Sequence, residues 1–432
     1  MNPELESQAE QLWTRAEKAY KFNSKFGIYP FREGGRLVDD FQRLSDEVPA
    51  KFPVVTTEEV YHNELKRRLG TEAVYFEHGL SGHRYTFDDV INLYGLDKTA
   101  EIDSLRDWLL ENREETLDTI DRVYQATEVE GFQLPVPSDI PRSRAEVEIY
   151  AATHIENYHK KLAKLFEGLT KVGNYLRDIT PVPTTGDRSY FDQYTKTLAL
   201  SIPAICYRTE DQTPHVNERE LILQFGHEGM GHGLNKVITE VSSLPSFLKR
   251  RSESVRATIE SVGQYYEEVI FEDLKASPKT QKELGIEHKF EEIYQNQKDT
   301  QLITAYNRRL FHYAITVLAD KELGDMNNPD PQLKKDAIDR RIALLSEVAL
   351  YPGYAVGTIE VQRQNFDSQG NLNLDFASEI RYRSQSAQRV VETMQQKGVI
   401  YDGEGRSKID TLLLTGYWTP TGLVENAQVA KP

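Results

Sequence analysis

The sequence predicts a mostly α-helical protein with a small β-sheet, built as two helical lobes around a cleft. Three observations point to this class. Long proline-free stretches carry apolar residues at three- and four-residue spacing, as helices with one buried face do. Lys196-Thr197-Leu198-Ala199-Leu200-Ser201-Ile202 instead alternates and reads as a short strand. The segment 130–141 holds three prolines and a glycine and is the best boundary between lobes. At 432 residues the chain exceeds a single typical core. We place an N-terminal helical lobe at 1–135 and a catalytic, metal-binding lobe at 142–432.

Composition narrows the partners. Hydrophobic residues make up 39% and charged residues 28% of the chain, ordinary for a globular protein. A net charge of −16 argues against nucleic acid, whose phosphates need a basic surface, and against an anionic membrane face. A single cysteine, Cys206, excludes an internal disulfide framework and fits a reducing cytoplasm. Within Ile202-Pro203-Ala204-Ile205-Cys206-Tyr207 it reads as a small buried hydrophobe. Met1–Ser7 lacks the basic and apolar segments of a signal peptide, and no apolar run approaches membrane-spanning length. The expected location is cytoplasmic, and the oligomeric state is left open.

In chain order, residues 3–22 read as an amphipathic helix with Leu12, Trp13, Ala16 and Tyr20 on one side. Phe31-Arg32-Glu33-Gly34-Gly35-Arg36 reads as a turn; its glycines lack the flanking pattern of a phosphate loop. Helices follow at 57–69, 86–95, 99–110 and 113–128. Beyond the proline-rich boundary, Ser143-Arg144-Ala145-Glu146 is a plausible helix start, with an acidic residue three positions after the cap. That helix would run to about Asp178, with Tyr150, His154, Tyr158 and Leu162 at helical spacing. His154 and His159 read as packing or surface groups rather than ligands. Pro181–Gly186 breaks the helix, and the strand at 196–202 comes next. It could offer an edge on which an extended peptide docks by main-chain hydrogen bonds, or it could be a core strand.

After the strand, Val216–Phe225 reads as a helix running into Phe225-Gly226-His227-Glu228-Gly229-Met230-Gly231-His232-Gly233. Two imidazoles with a carboxylate beside the first are what a hydrolytic zinc site requires. His227 and His232 would hold the metal, and Glu228 would take a proton from metal-activated water. The histidines stand five apart, about 140° around a regular helix. Both can face one ion only if the helix absorbs an extra residue, as a π-bulge does, and such bulges concentrate at functional sites. Gly229, Gly231 and Gly233 would ease that distortion sterically while weakening a regular helix.

Ser254–Glu268 reads as a second helix. Glu253, Glu260 and Glu267 are seven apart and share a face. Glu260 is the candidate third ligand, leaving a position open for water. Glu267, two turns on, would lie near the histidines and orient an imidazole. Glu253 reads instead as part of a solvated acidic face balanced by Arg256, Lys249 and Arg250.

The order His227-Glu228-Gly-x-Gly-His232, then Leu244-Pro245-Ser246-Phe247, then Glu260-Ser-Val-Gly-Gln-Tyr-Tyr-Glu267 resembles domain-of-unknown-function family 885. That family consists of mostly helical proteins predicted to be zinc hydrolases. Its pattern is His-Glu-x-x-Pro-Gly-His followed by Glu-Gly-Trp-Ala-Leu-Tyr-x-Glu. Leu350–Gly357 is similar to the family's Pro-Gly-Gln-Ala segment, and the resemblance runs from Thr197 to the C-terminus. The resemblance implies a zincin-like metallopeptidase architecture. Arg309 fits the family's arginine, whereas its following aspartate falls on Tyr313 and its histidine has no counterpart, so those two roles are not carried over. The proline before Gly231 is absent, which shortens the histidine spacing by one and makes it that of dipeptidyl peptidase III. The second motif of that enzyme, Glu-Glu-x-Arg-Ala-Glu, would put its ligand glutamate at Ser254, so the family 885 alignment is preferred. The family tryptophan is also missing, Val262-Gly263 standing in its place. These departures bear on substrate class more than on metal binding.

Downstream, 276–279 reads as a loop and 287–320 as helices. Gly324–Pro331 reads as a solvated turn whose spacing lacks a calcium-loop pattern. A helix at 332–348 leads to Tyr351–Gly357, and Gly416–Pro420 reads as a packed tail. A hydrolase needs a donor for the oxyanion on the attacked carbonyl; Tyr351 and Tyr354 are candidates, as are Arg381 and Tyr382, with packing as the competing role for the tyrosines. The expected activity is that of a zinc-dependent hydrolase acting on a peptide or small amide. An alternative keeps the two histidines and one carboxylate but binds non-haem iron(II), for oxidoreductase or lyase chemistry on a small metabolite. A third reading is a helical scaffold with an inherited motif. Glu228 favours hydrolysis, because an oxygenase needs no base beside its metal.

Overall fold

The computed structural model describes residues 3–26, 31–49, 56–81, 85–86, 89, 102–129, 160–164, 173–184, 186, 188–208, 214–363, 365–366, 372–374 and 413–429. Among these, helices predominate and the strands form three small sheets. The segments 86–95 and 143–178, read above as helical, and the boundary at 130–141 fall wholly or largely outside the described residues.

The N-terminal part is three helices, α1 (Pro3–Phe26), α2 (Phe31–Glu47) and α3 (Thr57–Ser81). α2 begins where the glycine pair suggested a turn. Leu37, Phe41, Leu44 and Val48 repeat at four- and three-residue spacing and are all buried, so the apolar face carries the helix through two residues of low propensity. α3 runs past Gly70 instead of stopping at 69. A Cβ on Gly70 would lie 3.3 Å from Ser45 Oγ, so the glycine lets α2 and α3 pack closely.

Two buried polar residues of α3 tie it to distant segments. Arg68 donates to the carbonyls of Phe247 and Arg250 and to Ser252 Oγ, with its guanidinium 5.2 Å from the Trp13 ring centroid. Glu64 accepts hydrogen bonds from the backbone N–H and hydroxyl of Thr419, both at 2.6 Å. A buried charge is tolerated only when its hydrogen-bonding capacity is used in this way. The tail around them is buried, Tyr417 and Trp418 included, and Gly416 adopts the left-handed φ of 92° that the turn before them requires.

α4 (Ile102–Val129) is one helix across the break expected at 111–112. Asn112 turns its side-chain amide back onto the Trp108 carbonyl at 2.7 Å, so this polar residue sits inside the helix without interrupting it. β1 (Tyr85–Thr86) pairs with β7 (Asn373–Leu374). β2 (Thr180–Thr184), β3 (Tyr190–Asp192) and β4 (Thr197–Ser201) form the three-stranded sheet in the order β2-β4-β3. β4 pairs parallel with β2 and antiparallel with β3. The alternating stretch is therefore the central strand of its sheet, and the idea that it is a free edge for a docking peptide is corrected. Its buried run Leu198-Ala199-Leu200 is what a strand covered on both sides looks like. β5 (Cys206–Arg208) and β6 (Pro214–Val216) make a short antiparallel pair.

Further helices, besides single-turn and 3-10 segments, are α5 (Glu218–Gln224), which runs through a π-helical segment Phe225–Leu234 into α6 (Asn235–Val241), then α7 (Arg256–Lys275), α8 (Pro278–Leu284), α9 (Phe290–Ala319), α10 (Pro331–Val348), α11 (Tyr354–Arg363) and α12 (Pro420–Val429). In the turn before α10, Asp325, Asn328 and Asp330 each accept a hydrogen bond from a backbone N–H two residues on, which accounts for the cluster of acidic and amide residues there. Two apolar clusters hold these elements. One joins Leu12, Phe41, Leu69, Phe225, Tyr266 and Trp418; the other joins Leu109, Tyr306, Tyr313, Leu345 and Ile359. Each draws on helices from both sides of 130–141. No described helix is long and apolar enough to cross a membrane.

Candidate metal centre

The helix carrying the histidines starts at Asn217, whose side chain accepts from the Glu220 backbone N–H at 3.1 Å. After the seven residues of α5 the backbone passes into the π form and keeps it for ten residues, Phe225–Leu234, before returning to α. The sequence led us to expect a local bulge; the whole motif is π-helical. Hydrogen bonding from i to i+5 stacks residues five apart, so His227 and His232 come onto one face. Their rings meet edge to face with centroids 4.7 Å apart.

Glycine acts here through close approach rather than through unusual dihedrals, since none of the motif's glycines has a positive φ. A Cβ on Gly231 would lie 2.5 Å from Gly263 Cα, and one on Gly226 would lie 2.8 Å from the Tyr266 carbonyl oxygen. The π segment and α7 therefore pack backbone against backbone. Gly263 also carries the His227 ring: a Cβ there would lie 2.7 Å from Cε1 and 2.9 Å from both ring nitrogens.

That contact brings Glu260 and Glu267 of α7 to the histidines. Glu260 Oε2 lies 3.6 Å from His227 Nε2 and 4.0 Å from His232 Nε2. One ligand atom from each of His227, His232 and Glu260 falls within 4.8 Å of the others. A tetrahedral ion with bonds of about 2.1 Å holds its ligands roughly 3.4 Å apart, so these groups need close by only a fraction of an ångström to a little over one. The donor set, two imidazole nitrogens and a carboxylate, fits zinc. Glu267 accepts a hydrogen bond from His227 Nδ1 at 2.5 Å, which leaves Nε2 directed at Glu260. His232 Nδ1 is buried and has no hydrogen-bond partner among the described residues.

Glu228 lies on the same turn as His227 and accepts a hydrogen bond from the backbone N–H of Phe191 at 3.0 Å. Phe191 belongs to β3, which is paired on its other side with β4, so β3 rather than β4 is the sheet edge beside the site. Burial pushes the Glu228 carboxyl up to about 7, and the Glu260 charge adds to the rise, against opposing effects from His227, the Phe191 hydrogen bond and Arg251. Burial also works to lower the His227 pKa, but hydrogen bonds to Glu260 and Glu267 outweigh it and hold the imidazole well above its usual value. His232 is held down at about 3, first by burial and then by the His227 charge. Three carboxylates thus surround the two imidazoles, with Glu260 on their Nε2 side and Glu267 on His227 Nδ1.

Two arginines flank the centre. The charge of Arg251 acts on Glu228 and His232; its Nε and Nη2 are buried without hydrogen-bond partners among the described residues, and its guanidinium stands 5.2 Å from the Tyr417 ring centroid. Arg308 on α9 feels the charges of Glu267 and Glu260. The sequence reading missed both. Arg251 sits in a basic run read as the balance of an acidic face, and Arg308 was passed over for its neighbour Arg309. Arg309 faces elsewhere, its guanidinium carbon 3.8 Å from the Trp108 ring centroid. Arg250 pairs with Glu10 and Glu17 of α1. Of the candidate oxyanion donors, Tyr351 is 53% exposed in the turn before α11, and Tyr354 packs on the second apolar cluster. No described contact joins either to the histidines. Arg381, Tyr382, His154 and His159 lie outside the described residues, as do the side chains of Cys206 and Glu253.

No family model, curated protein or solved structure matches this chain.

Proposed function

We propose that this chain is a zinc-dependent hydrolase of peptides or small amides, with a zincin-like site. The observation that carries the proposal is the convergence of His227, His232 and Glu260 with a half-buried carboxylate, Glu228, on the turn beside them. His227, His232 and Glu260 would hold the metal. Zinc, when bound, supplies Lewis acidity toward water and toward the substrate carbonyl.

The chain's own groups supply the rest. Glu228 accepts the proton of the attacking water and later returns it to the leaving nitrogen, a task suited to a carboxyl whose pKa lies near neutrality. The Phe191 N–H holds its carboxylate in place. Glu267 fixes the ring orientation and tautomer of His227. Arg251, whose charge already acts on Glu228, is better placed than Tyr351 or Tyr354 to offset negative charge developing at the carbonyl. Resemblance to family 885 is part of this proposal and rests on motif order.

Metal removal tests it. After dialysis against a chelator, cleavage of a panel of peptides should fall to background and return with about one equivalent of zinc per chain. Cleavage that persists in the stripped protein would contradict the proposal. Restoration by iron(II) with oxygen consumption and no hydrolysis would point to the oxidative alternative.

A further inference from the structure

Against the metal centre lies a cleft of about 530 Å³, walled mainly by α7 and α9. It shares a wall with the site, because Glu267, which bonds His227, also lines it. In a chain of net charge −16 its lining is unusual: Arg219, Lys298, Arg308 and Arg309 against Glu267 and Glu268.

Three of the four cations are already engaged. Arg219 donates to Gln297 Oε1 at 3.1 Å and pairs with Glu220. Lys298 lies 2.8 Å from Glu272. Arg309 stacks on Trp108. Arg308 has no hydrogen-bond or ion-pair partner among the described residues; it is half-buried in the cleft wall, where the charges of Glu267 and Glu260 act on it. A guanidinium left with its donors unused beside an open cleft matches a planar monoanion, which it can bind through two parallel N–H bonds. The acidic neighbours disfavour a dianion such as phosphate. Glu267 is taken by His227, and Glu268 lines the cleft beside Lys298 and Arg309, whose charges act on it, so neither is a ready receptor for an ammonium group.

From this arrangement we infer that Arg308 binds the free C-terminal carboxylate of the substrate, so that the enzyme removes residues from the carboxyl end of peptides. The inference rests on the hydrolase reading and adds the substrate class to it. In the reaction, the amide C–N bond nearest the carboxylate breaks. Water gives its hydroxyl to the carbonyl carbon and its proton to the leaving nitrogen, and a free amino acid departs.

The test compares N-acetylated dipeptides and tripeptides ending in a free carboxylate with their C-terminal amides, on zinc-loaded full-length protein. The acids should be cleaved with a kcat/KM about 10- to 100-fold higher than the amides, the range for a charge-assisted hydrogen bond. Arg308→Ala should bring that ratio toward one through KM. Arg308→Lys, which keeps the charge and loses the fork, should give an intermediate ratio. Equal cleavage of acids and amides by the wild type overturns the carboxylate assignment while leaving the hydrolase standing, as does a requirement for a free amino end. Cleavage of neither overturns the hydrolase reading. In that case calorimetry decides the carboxylate assignment: Glu228→Gln protein should bind the acid more tightly than the amide, and the difference should vanish in the Glu228→Gln, Arg308→Ala double variant. No difference there overturns it.

Discussion

Glu228→Gln is expected to lose hydrolysis by about 10²- to 10⁴-fold in kcat while keeping its zinc, the range assigned to a positioned general base. Glutamine has nearly the same shape, and its Oε1 can still accept the Phe191 N–H that now holds the carboxylate at 3.0 Å. The sheet edge and the π segment are therefore left as they are, and what disappears is the ability to take a proton. Metal content, circular dichroism and kcat measured on one preparation separate these effects. Retained zinc with kcat within a few-fold of wild type would move the base to another residue.

Gly263→Ala is expected to disable the site from the opposite helix, without touching a ligand. The added methyl would lie 2.7 Å from His227 Cε1, and Gly263 is also where Gly231 makes its backbone contact. Either the His227 ring tilts away from Glu267 and Glu260, or α7 withdraws from the π segment. Overpacking of this kind destabilises by about 1–3 kcal/mol. Disturbing the support of a ligand lowers metal affinity on the order of 10- to 100-fold. Gly357→Ala in α11 is the comparison, since nothing lies within 4 Å of a Cβ there; it should be neutral or slightly stabilising. Thermal unfolding and competitive zinc titration measure both quantities. A Gly263→Ala protein that binds zinc as tightly as wild type would contradict this view of the interface.

The central part of the site was legible because it is contiguous or periodic. His227, Glu228 and His232 lie within six residues, and their five-residue spacing already demanded a helix that is not α. Glu260 and Glu267 lie two turns apart on one helix, so periodicity alone put them on one face. What was not legible depends on partners in space. The alternating strand gave no sign of which side would be covered, and β4 proved central. Arg308 and Arg309 are adjacent, and only the packing of α9 decides which of them turns toward Glu267 and which toward Trp108. Arg251 lies in a loop whose path is set by Arg68 from the N-terminal helices, an interaction that no local pattern encodes. The glycines were read as easing distortion, because a lone sequence does not reveal that another glycine, Gly263, stands opposite. At α2, buried leucines and a phenylalanine overrode the glycine pair, as tertiary packing commonly overrides propensity.

The most direct measurement is zinc content, by elemental analysis, of the untagged wild type beside Glu260→Ala purified in the same way. This account predicts about one zinc per wild-type chain and a large loss in the variant, because removing the carboxylate leaves only two imidazoles where a hydrolytic site needs three protein ligands. Equal zinc in both proteins, or none in the wild type after zinc is supplied, would contradict it.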